Sequence, residues 1–229
     1  MHATAMNHGR LFFETYLHRR PRSTIVEIGA QDVNGSLREV SPLGCQYVGV
    51  DFVAGPGVDV VLDDPYRLPF DDASIDAVVT SSCLEHSELF WLAFLEMLRI
   101  LKPDGLLYLN VPSNGAFHRF PVDCWRFYPD SGAALVKWAR RSGYQPLLLE
   151  SFTGRQDQHE WNDFVAVFLK DEAQLAAHPE RILSRHRNFD NGYRHGAAEF
   201  ENGQFVPEDR RKLMKMIAAV NAFMKSLQS

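Results

Sequence analysis

Two carboxylates set in a strand–turn–strand pattern carry the most chemistry in this sequence. Thr24–Gly35 reads TIVEIGAQDVNG, a short apolar run bearing one acid, Glu27, that breaks at Gly29 into a turn rich in Gly, Asn and Asp. A second apolar run, YVGVD, ends in Asp51. An acid at the tip of the second strand of such a pair can accept both hydroxyls of a ribose, while the turn after the first strand brings backbone close to the ligand. Gly29 suits that approach, because no Cβ stands in the way. Glu27 discriminates among nucleotide-like ligands: it would repel a pyrophosphate near the turn and suits a ligand with a cationic end. Asp51 is expected to hold ribose, its alternative being a strand-end cap, and Phe52 beside it could cover one face of a base.

Composition bounds what surrounds these acids. A chain of 229 residues, 45% hydrophobic and 23% charged, fits one α/β domain with trimmings. The net charge of −5 supplies no electrostatic footprint for nucleic acid. Cys45, Cys83 and Cys124 sit far apart without a CxxC, which argues against zinc and for a reducing, cytoplasmic setting. No apolar stretch approaches the roughly 18 residues of a membrane span, and the N-terminus lacks the run of a signal peptide.

The elements that must position the acids follow from periodicity. A leading helix is expected at residues 9–20, with Leu11, Phe12, Tyr16 and Leu17 on one face and Pro21 at its end. Strands are expected at 24–29, 46–51, 58–62, 75–81, 106–111, 147–151 and 163–169. Helices are expected at 36–40, 88–101 and 130–142, the last with Asp130 or Ser131 as N-cap and Gly143 beyond its end. Alternation of strands and helices predicts a parallel sheet covered on both faces. Only a polar loop separates the last two strands, so these should be antiparallel neighbours.

This arrangement resembles the class I S-adenosylmethionine-dependent methyltransferases. The residues that carry the resemblance are VEIGA (26–30), VGVD (48–51), LPFDDASIDAVVTSSCLEH (68–86) and EMLRILKPDGLLYLNVP (96–112), in the family's order and spacing, across roughly residues 20–170. The resemblance implies a Rossmann-like three-layer sandwich with a seven-stranded, mostly parallel sheet whose last strand is antiparallel. It also implies S-adenosylmethionine as cofactor, with Glu27 at the methionine amine, directly or through water, and Gly29 and Ala30 beside it. Asp64, or the adjacent Asp63, would meet the adenine amino group, although Pro65 removes a backbone donor that relatives often use. Ser81 and Ser82, ending a strand at the ligand edge, would line the methionine moiety. The family's turn has three alternating glycines; here Gln31 and Val33 replace the second and third, and Gly35 follows late. Gln31, Asp32 and Asn34 could either reach the cofactor carboxylate or close the loop.

Two loops at the same edge would choose the acceptor. Asn114–Asp130, NGAFHRFPVDCWRFYPD, is long and aromatic for a plain connection. It could cover the core or form an acceptor lid, with Trp125 and Tyr128 offering flat faces and Arg119 or Arg126 an anion site. Residues 154–163 add His159 and Trp161. A hydroxyl acceptor needs a base, for which His118, Asp123 and His86 are candidates, His118 first because imidazole titrates near neutrality. No compact acid cluster recommends a metal, so none is expected.

Residues 1–170 are expected to form the cofactor domain, and 171–229 a helical extension that is polar to about 204 and helical from 207 to 227. The stripe Leu213, Ile217, Val220, Met224 and Leu227 could pack on its own domain or join two subunits as a homodimer. The expected function is methyl transfer to a small-molecule acceptor, with O-methylation of a sugar or surface-glycan precursor favoured because HRFPVDCWRFYPD looks like the same segment of bacterial enzymes of that kind. One rival is a non-catalytic S-adenosylmethionine-binding partner subunit. The other, an NAD-dependent oxidoreductase, is opposed by Glu27, Gln31 and the terminal hairpin.

Overall fold

The structure is a computed structural model in which residues 2–227 are described. In chain order it comprises α1 (Ala3–Phe12), β1 (Thr24–Ile28), β2 (Gln46–Asp51), β3 (Val60–Val61), β4 (Ile75–Ser81), α2 (Phe90–Ile100), β5 (Leu101–Pro112), α3 (Ser131–Arg141), β6 (Leu147–Gly154), β7 (Asp163–Leu169), β8 (Phe189–Arg194) and α4 (Glu208–Ser226). The strands form one sheet in the order β3-β2-β1-β4-β5-β7-β6-β8. β3, β2, β1, β4 and β5 are mutually parallel, and β7 runs antiparallel between β5 and β6. The expected three-layer α/β fold with its antiparallel hairpin is therefore present.

Strand periodicity divides the core between the two faces. Along β5, Leu107, Leu109 and Val111 face one layer while Leu106 and Tyr108 face the other; along β7, Phe164, Ala166 and Phe168 alternate in the same way with Val165, Val167 and Leu169. The first layer is closed by Phe94, Met97 and Leu98 of α2 and by Leu135 and Ala139 of α3. The second is closed by Phe12, Phe13, Tyr16 and Leu17. A helix as short as α1 is marginal alone, but each of those buried side chains contributes roughly 1.5–3 kcal/mol of transfer free energy. Phe13–Leu17 continues α1 as a π-helical turn, which brings Phe13 into the core and leaves Leu11 only partly buried, unlike the face expected from a regular period.

The C-terminal segment departs from the helical extension expected of it. β8 pairs antiparallel with β6 and makes the sheet eight-stranded rather than seven-stranded. The polar segment around it left no alternating signal, because half of β8 is polar: FDNGYR carries Asp190, Asn191 and Arg194. One buried acid ties this addition to the rest. Glu150 of β6 accepts from the Tyr16 hydroxyl (2.5 Å) and from the backbone N–H groups of Ile182 (2.7 Å) and Leu183 (3.0 Å). α4 is the opposite case. It touches the domain through its first turns, where Glu208 accepts from Gln156 N and Asn162 Nδ2 and Arg211 pairs with Asp190, while its apolar residues Leu213, Ile217, Val220 and Met224 stay exposed. No helix among the described residues is long and apolar enough to cross a membrane.

Glu150→Ala removes the acceptor for one hydroxyl and two buried N–H groups, and should lower the unfolding free energy by roughly 2–4 kcal/mol in urea denaturation. A loss under about 0.5 kcal/mol would show that the segment after β7 is held by other contacts.

Candidate active site

The carboxyl ends of the parallel strands meet at one edge, and the order reverses between β1 and β4, where an open α/β sheet leaves a crevice. A cavity of about 800 Å³ lies there, of a size usual for a small-molecule site. Glu27, Gly29, Ala30 and Gln31 of the first turn, Asp51 and Phe52 at the end of β2, and Ser81 and Ser82 at the end of β4 all line it.

Glu27 is buried, and its Oε2 accepts from Tyr47 Oη (2.8 Å) and Ser36 Oγ (3.3 Å). Burial pushes its carboxyl above the usual range, and those hydrogen bonds oppose the shift. Behind Tyr47 the Arg38 guanidinium stacks 4.9 Å from the ring and pairs with Asp59, which accepts from Gly49 N (2.7 Å). Asp51 accepts from Gln31 N through Oδ2 (3.2 Å) and from Val53 N through Oδ1 (3.1 Å), so both turns at the crevice are fastened to one carboxylate.

The glycine-poor turn is shaped by side chains and by the loop after β2. Asp32 Oδ1 accepts from Gly35 N (2.7 Å), and Asp32 N donates to Pro56 O (2.8 Å). Asp32 thus closes the loop, while Gln31 and Asn34 remain on the cavity wall. Gly29 has a φ of +77°, and a Cβ there would lie 2.6 Å from Cys83 Cβ and Sγ. Cys83 itself is no nucleophile, since burial pushes its thiol up to about 12. Asp64 stands apart: it is exposed, and its carboxylate accepts from Tyr66 N (2.8 Å) in its own loop. Pro65 and Tyr66 line the wall instead.

The far end of the cavity is built by two loops docked on a third. The backbone carbonyl of Glu85 accepts from Cys124 N (2.7 Å) and Trp125 N (3.2 Å), fixing the segment after β5 against the end of β4. His86 and His118 then meet edge to face, ring centroids 4.9 Å apart, and Trp161 packs on His118 at 5.0 Å. His86 Nδ1 lies 2.5 Å from Val122 O and His118 Nδ1 3.1 Å from Ala116 O. A carbonyl only accepts, so each Nδ1 donates in these contacts, and in the neutral tautomer that this selects Nε2 carries the lone pair. Burial lowers the pKa of His86 and pushes the Glu85 carboxyl up to about 8.

The remaining candidates separate. His86, His118, Arg119 and Trp161 line the cavity. Asp123 does not. Arg126 grips its two oxygens at 2.6 and 2.8 Å and His118 N donates to it at 2.8 Å, so its carboxyl is held well below the usual range and serves to position His118. Arg126 is occupied by Asp123 and Ala116 O and is not a free anion site. Trp125 donates to Ser87 O (2.9 Å) and packs on Phe90 and Trp91, as core. Tyr128 is 62% exposed and off the wall, and His159 meets His2 at the rim, ring centroids 6.1 Å apart. Sequence reading passed over Glu85, Asp163 and His2. Asp163, salt-bridged to His2 and His8, opens β7 beside Pro112; the hairpin had already placed that position at this edge, whereas nothing in the sequence could bring His2 there.

A methyltransferase-domain family matches residues 33–109, which run from the end of the first turn through β2, β3, β4 and α2 into β5 and leave out β1. The chain is 26% identical over 185 residues to a demethylmenaquinone methyltransferase of Renibacterium salmoninarum, covering 75% of this chain and 76% of that one. It is 32% identical over 103 residues to a probable tRNA methyltransferase 9B of Mus musculus, covering 41% of this chain and only 22% of the mouse protein. Among solved structures, the 1,6-didemethyltoxoflavin-N1-methyltransferase of Burkholderia thailandensis, with 1,6-didemethyltoxoflavin and S-adenosylhomocysteine bound, superposes with a TM-score of 0.54 at 18% identity over 73% of this chain and 79% of that one. The superposition shows a Rossmann-like α/β fold, and residues 33–109 match the methyltransferase-domain family. The Burkholderia structure holds S-adenosylhomocysteine, the spent form of an S-adenosylmethionine cofactor. The site fits such a cofactor in two respects: a buried acid at the crevice and a buried Ser81 Oγ without a partner among the described residues.

Gly29→Ala strains a left-handed backbone and drives a methyl into Cys83, so S-adenosylmethionine affinity measured by calorimetry should fall at least tenfold, about 1.4 kcal/mol. Unchanged affinity would mean that the cofactor does not depend on this turn.

Proposed function

We propose that this protein transfers a methyl group from S-adenosylmethionine to a hydroxyl of a small-molecule acceptor, a sugar or surface-glycan precursor being favoured. The observation that carries this reading is a single cavity running from Glu27 and Asp51 to His86, His118 and Trp161. Asp51 takes the ribose, Glu27 the methionine amine, and the backbone of Ser81 and Ser82 the methionine chain. S-adenosylmethionine supplies a methyl activated on a sulfonium, so the protein chiefly aligns the acceptor and excludes water. His118 Nε2 receives the acceptor's proton, with the imidazole oriented by Ala116 O and the His118 backbone held by Asp123. Trp161 offers an apolar wall and Arg119 a cation beside it. A small acceptor also agrees with the substrates in the names of the Renibacterium and Burkholderia proteins and with the net charge of −5, which gives nucleic acid no footprint.

A second reading, a non-catalytic S-adenosylmethionine-binding subunit, draws on one observation: the apolar stripe of α4 is uncovered. A partner on that helix, a second copy included, is compatible with either reading.

Asp51→Ala should reduce S-adenosylmethionine affinity by at least about a hundredfold, or roughly 2.7 kcal/mol, in calorimetry; near-normal affinity would sink the assignment of the ribose site. His118→Ala should slow transfer of labelled methyl to extracted small molecules by about 10²–10⁴-fold with little change in cofactor affinity. Equal labelling by wild type and variant would remove His118 as the proton acceptor, and no labelling by the wild type would favour the subunit reading.

A further inference from the structure

We propose that Glu85, His86 and His118 form a site for a divalent transition cation of the Zn²⁺ class at the acceptor end of the cavity. One donor atom from each of the three lies within 4.8 Å of the other two. Glu85 Oε1 and His86 Nε2 are 3.7 Å apart. Two donors on a tetrahedral zinc, with bonds of about 2.0–2.1 Å, stand roughly 3.3–3.5 Å from each other. The first pair is close to that spacing, and the widest separation has to close by little more than roughly an ångström.

The protonation pattern is that of ligands. Val122 O and Ala116 O each take an Nδ1 proton, which leaves both Nε2 atoms as lone-pair donors. Carbonyls acting on the remote ring nitrogen are the usual outer support of metal-bound histidine. Glu85 supplies an independent observation. Its side chain is 1% exposed, it lines the cavity, and its Oε2 has no hydrogen-bond partner among the described residues. A buried carboxylate oxygen without a donor is costly, and a bound cation removes that cost. Arg126 is the nearby cation, and its hydrogen bonds go to Asp123, Ala116 O and Trp125 O. Asp163, the next acid along the wall, has imidazoles of its own, His2 at 3.2 Å and His8 at 3.4 Å.

Donor chemistry selects the ion. Two imidazoles with one carboxylate suit Zn²⁺ and its neighbours over Mg²⁺ or Ca²⁺, which prefer oxygen ligands throughout. Three protein ligands leave a fourth position, which opens on the cavity, as in catalytic rather than structural zinc sites. That position would take an oxygen of the acceptor, and a coordinated hydroxyl gives up its proton more readily. This last step rests on the proposed methyl transfer; the site itself does not. With the cation bound, His118 would be a ligand and the proton would pass to water; His118 Nε2 takes the proton only where no cation holds it. The expectation of no metal is drawn from the lack of an acid cluster; the donors proposed here are mostly histidine and come from two loops.

The test is a titration of the untagged full-length chain, stripped with chelator, with Co²⁺, which reports its own geometry by absorption. One equivalent should produce visible d–d bands that Zn²⁺ abolishes. His86→Ala/His118→Ala should lose the bands and at least about tenfold in affinity, while S-adenosylhomocysteine, titrated by calorimetry as a check on folding, binds both proteins alike. Absence of bands in the wild type, or equal Co²⁺ affinity in the double variant, would overturn the site. Co²⁺ binding without S-adenosylhomocysteine binding would uphold the site and count against the methyl-transfer reading alone.

Discussion

The divergence of two neighbouring parallel strands governs everything at this site. β1 and β4 lie side by side, but their onward connections fall on opposite faces: Leu37, on the way to β2, packs with α1, whereas α2, on the way to β5, packs on the other layer. The crevice between them cannot be filled by a connection, so it is lined by strand ends and turns. A polar ligand can be met there by groups that the sheet holds rigid. Glu27 pairs with Gly49 on one side and Val79 on the other, and so sits in the middle of that rigid frame.

Rigidity also explains how an irregular turn can serve. A glycine-rich turn reaches its shape through backbone freedom alone. Here Asp32 bonds the turn to itself and to Pro56, Asp51 fastens it to β2, and the Tyr47–Arg38–Asp59 chain braces Glu27 from behind. The same substitution of side-chain contacts for freedom recurs at the acceptor end, where the carbonyl of Glu85 holds the long aromatic loop through two backbone N–H groups. The two ends of the cavity are therefore parts of one frame, joined through the end of β4.

Much of this was legible in the residues, and unevenly. Strands buried on both faces announce themselves as apolar runs, so β1, β2, β4, β5 and β7 fell where periodicity placed them, and with them Glu27, Gly29 and Asp51 came to the cavity. β8 did not, because an edge strand can be polar and still pair. Within the loop after β5, residue types named the right segment without sorting its members: His118 and Arg119 line the cavity, while Trp125 turns to the core and Arg126 is consumed by Asp123. A loop's side-chain directions depend on its anchors, here the Glu85 carbonyl, and such anchors are backbone atoms that no residue letter reveals. Asp64 shows the same limit, its carboxylate being taken up by a turn two residues away.

The central claim is that the crevice between β1 and β4 holds S-adenosylmethionine with its reactive end toward His86 and His118. A crystal structure with S-adenosylhomocysteine tests it most directly. The account predicts both ribose hydroxyls within hydrogen-bonding distance of Asp51, the amine on the Glu27 side of Gly29, and the sulfur facing the two imidazoles. Cofactor bound elsewhere, or bound here with its ribose away from Asp51, would contradict it.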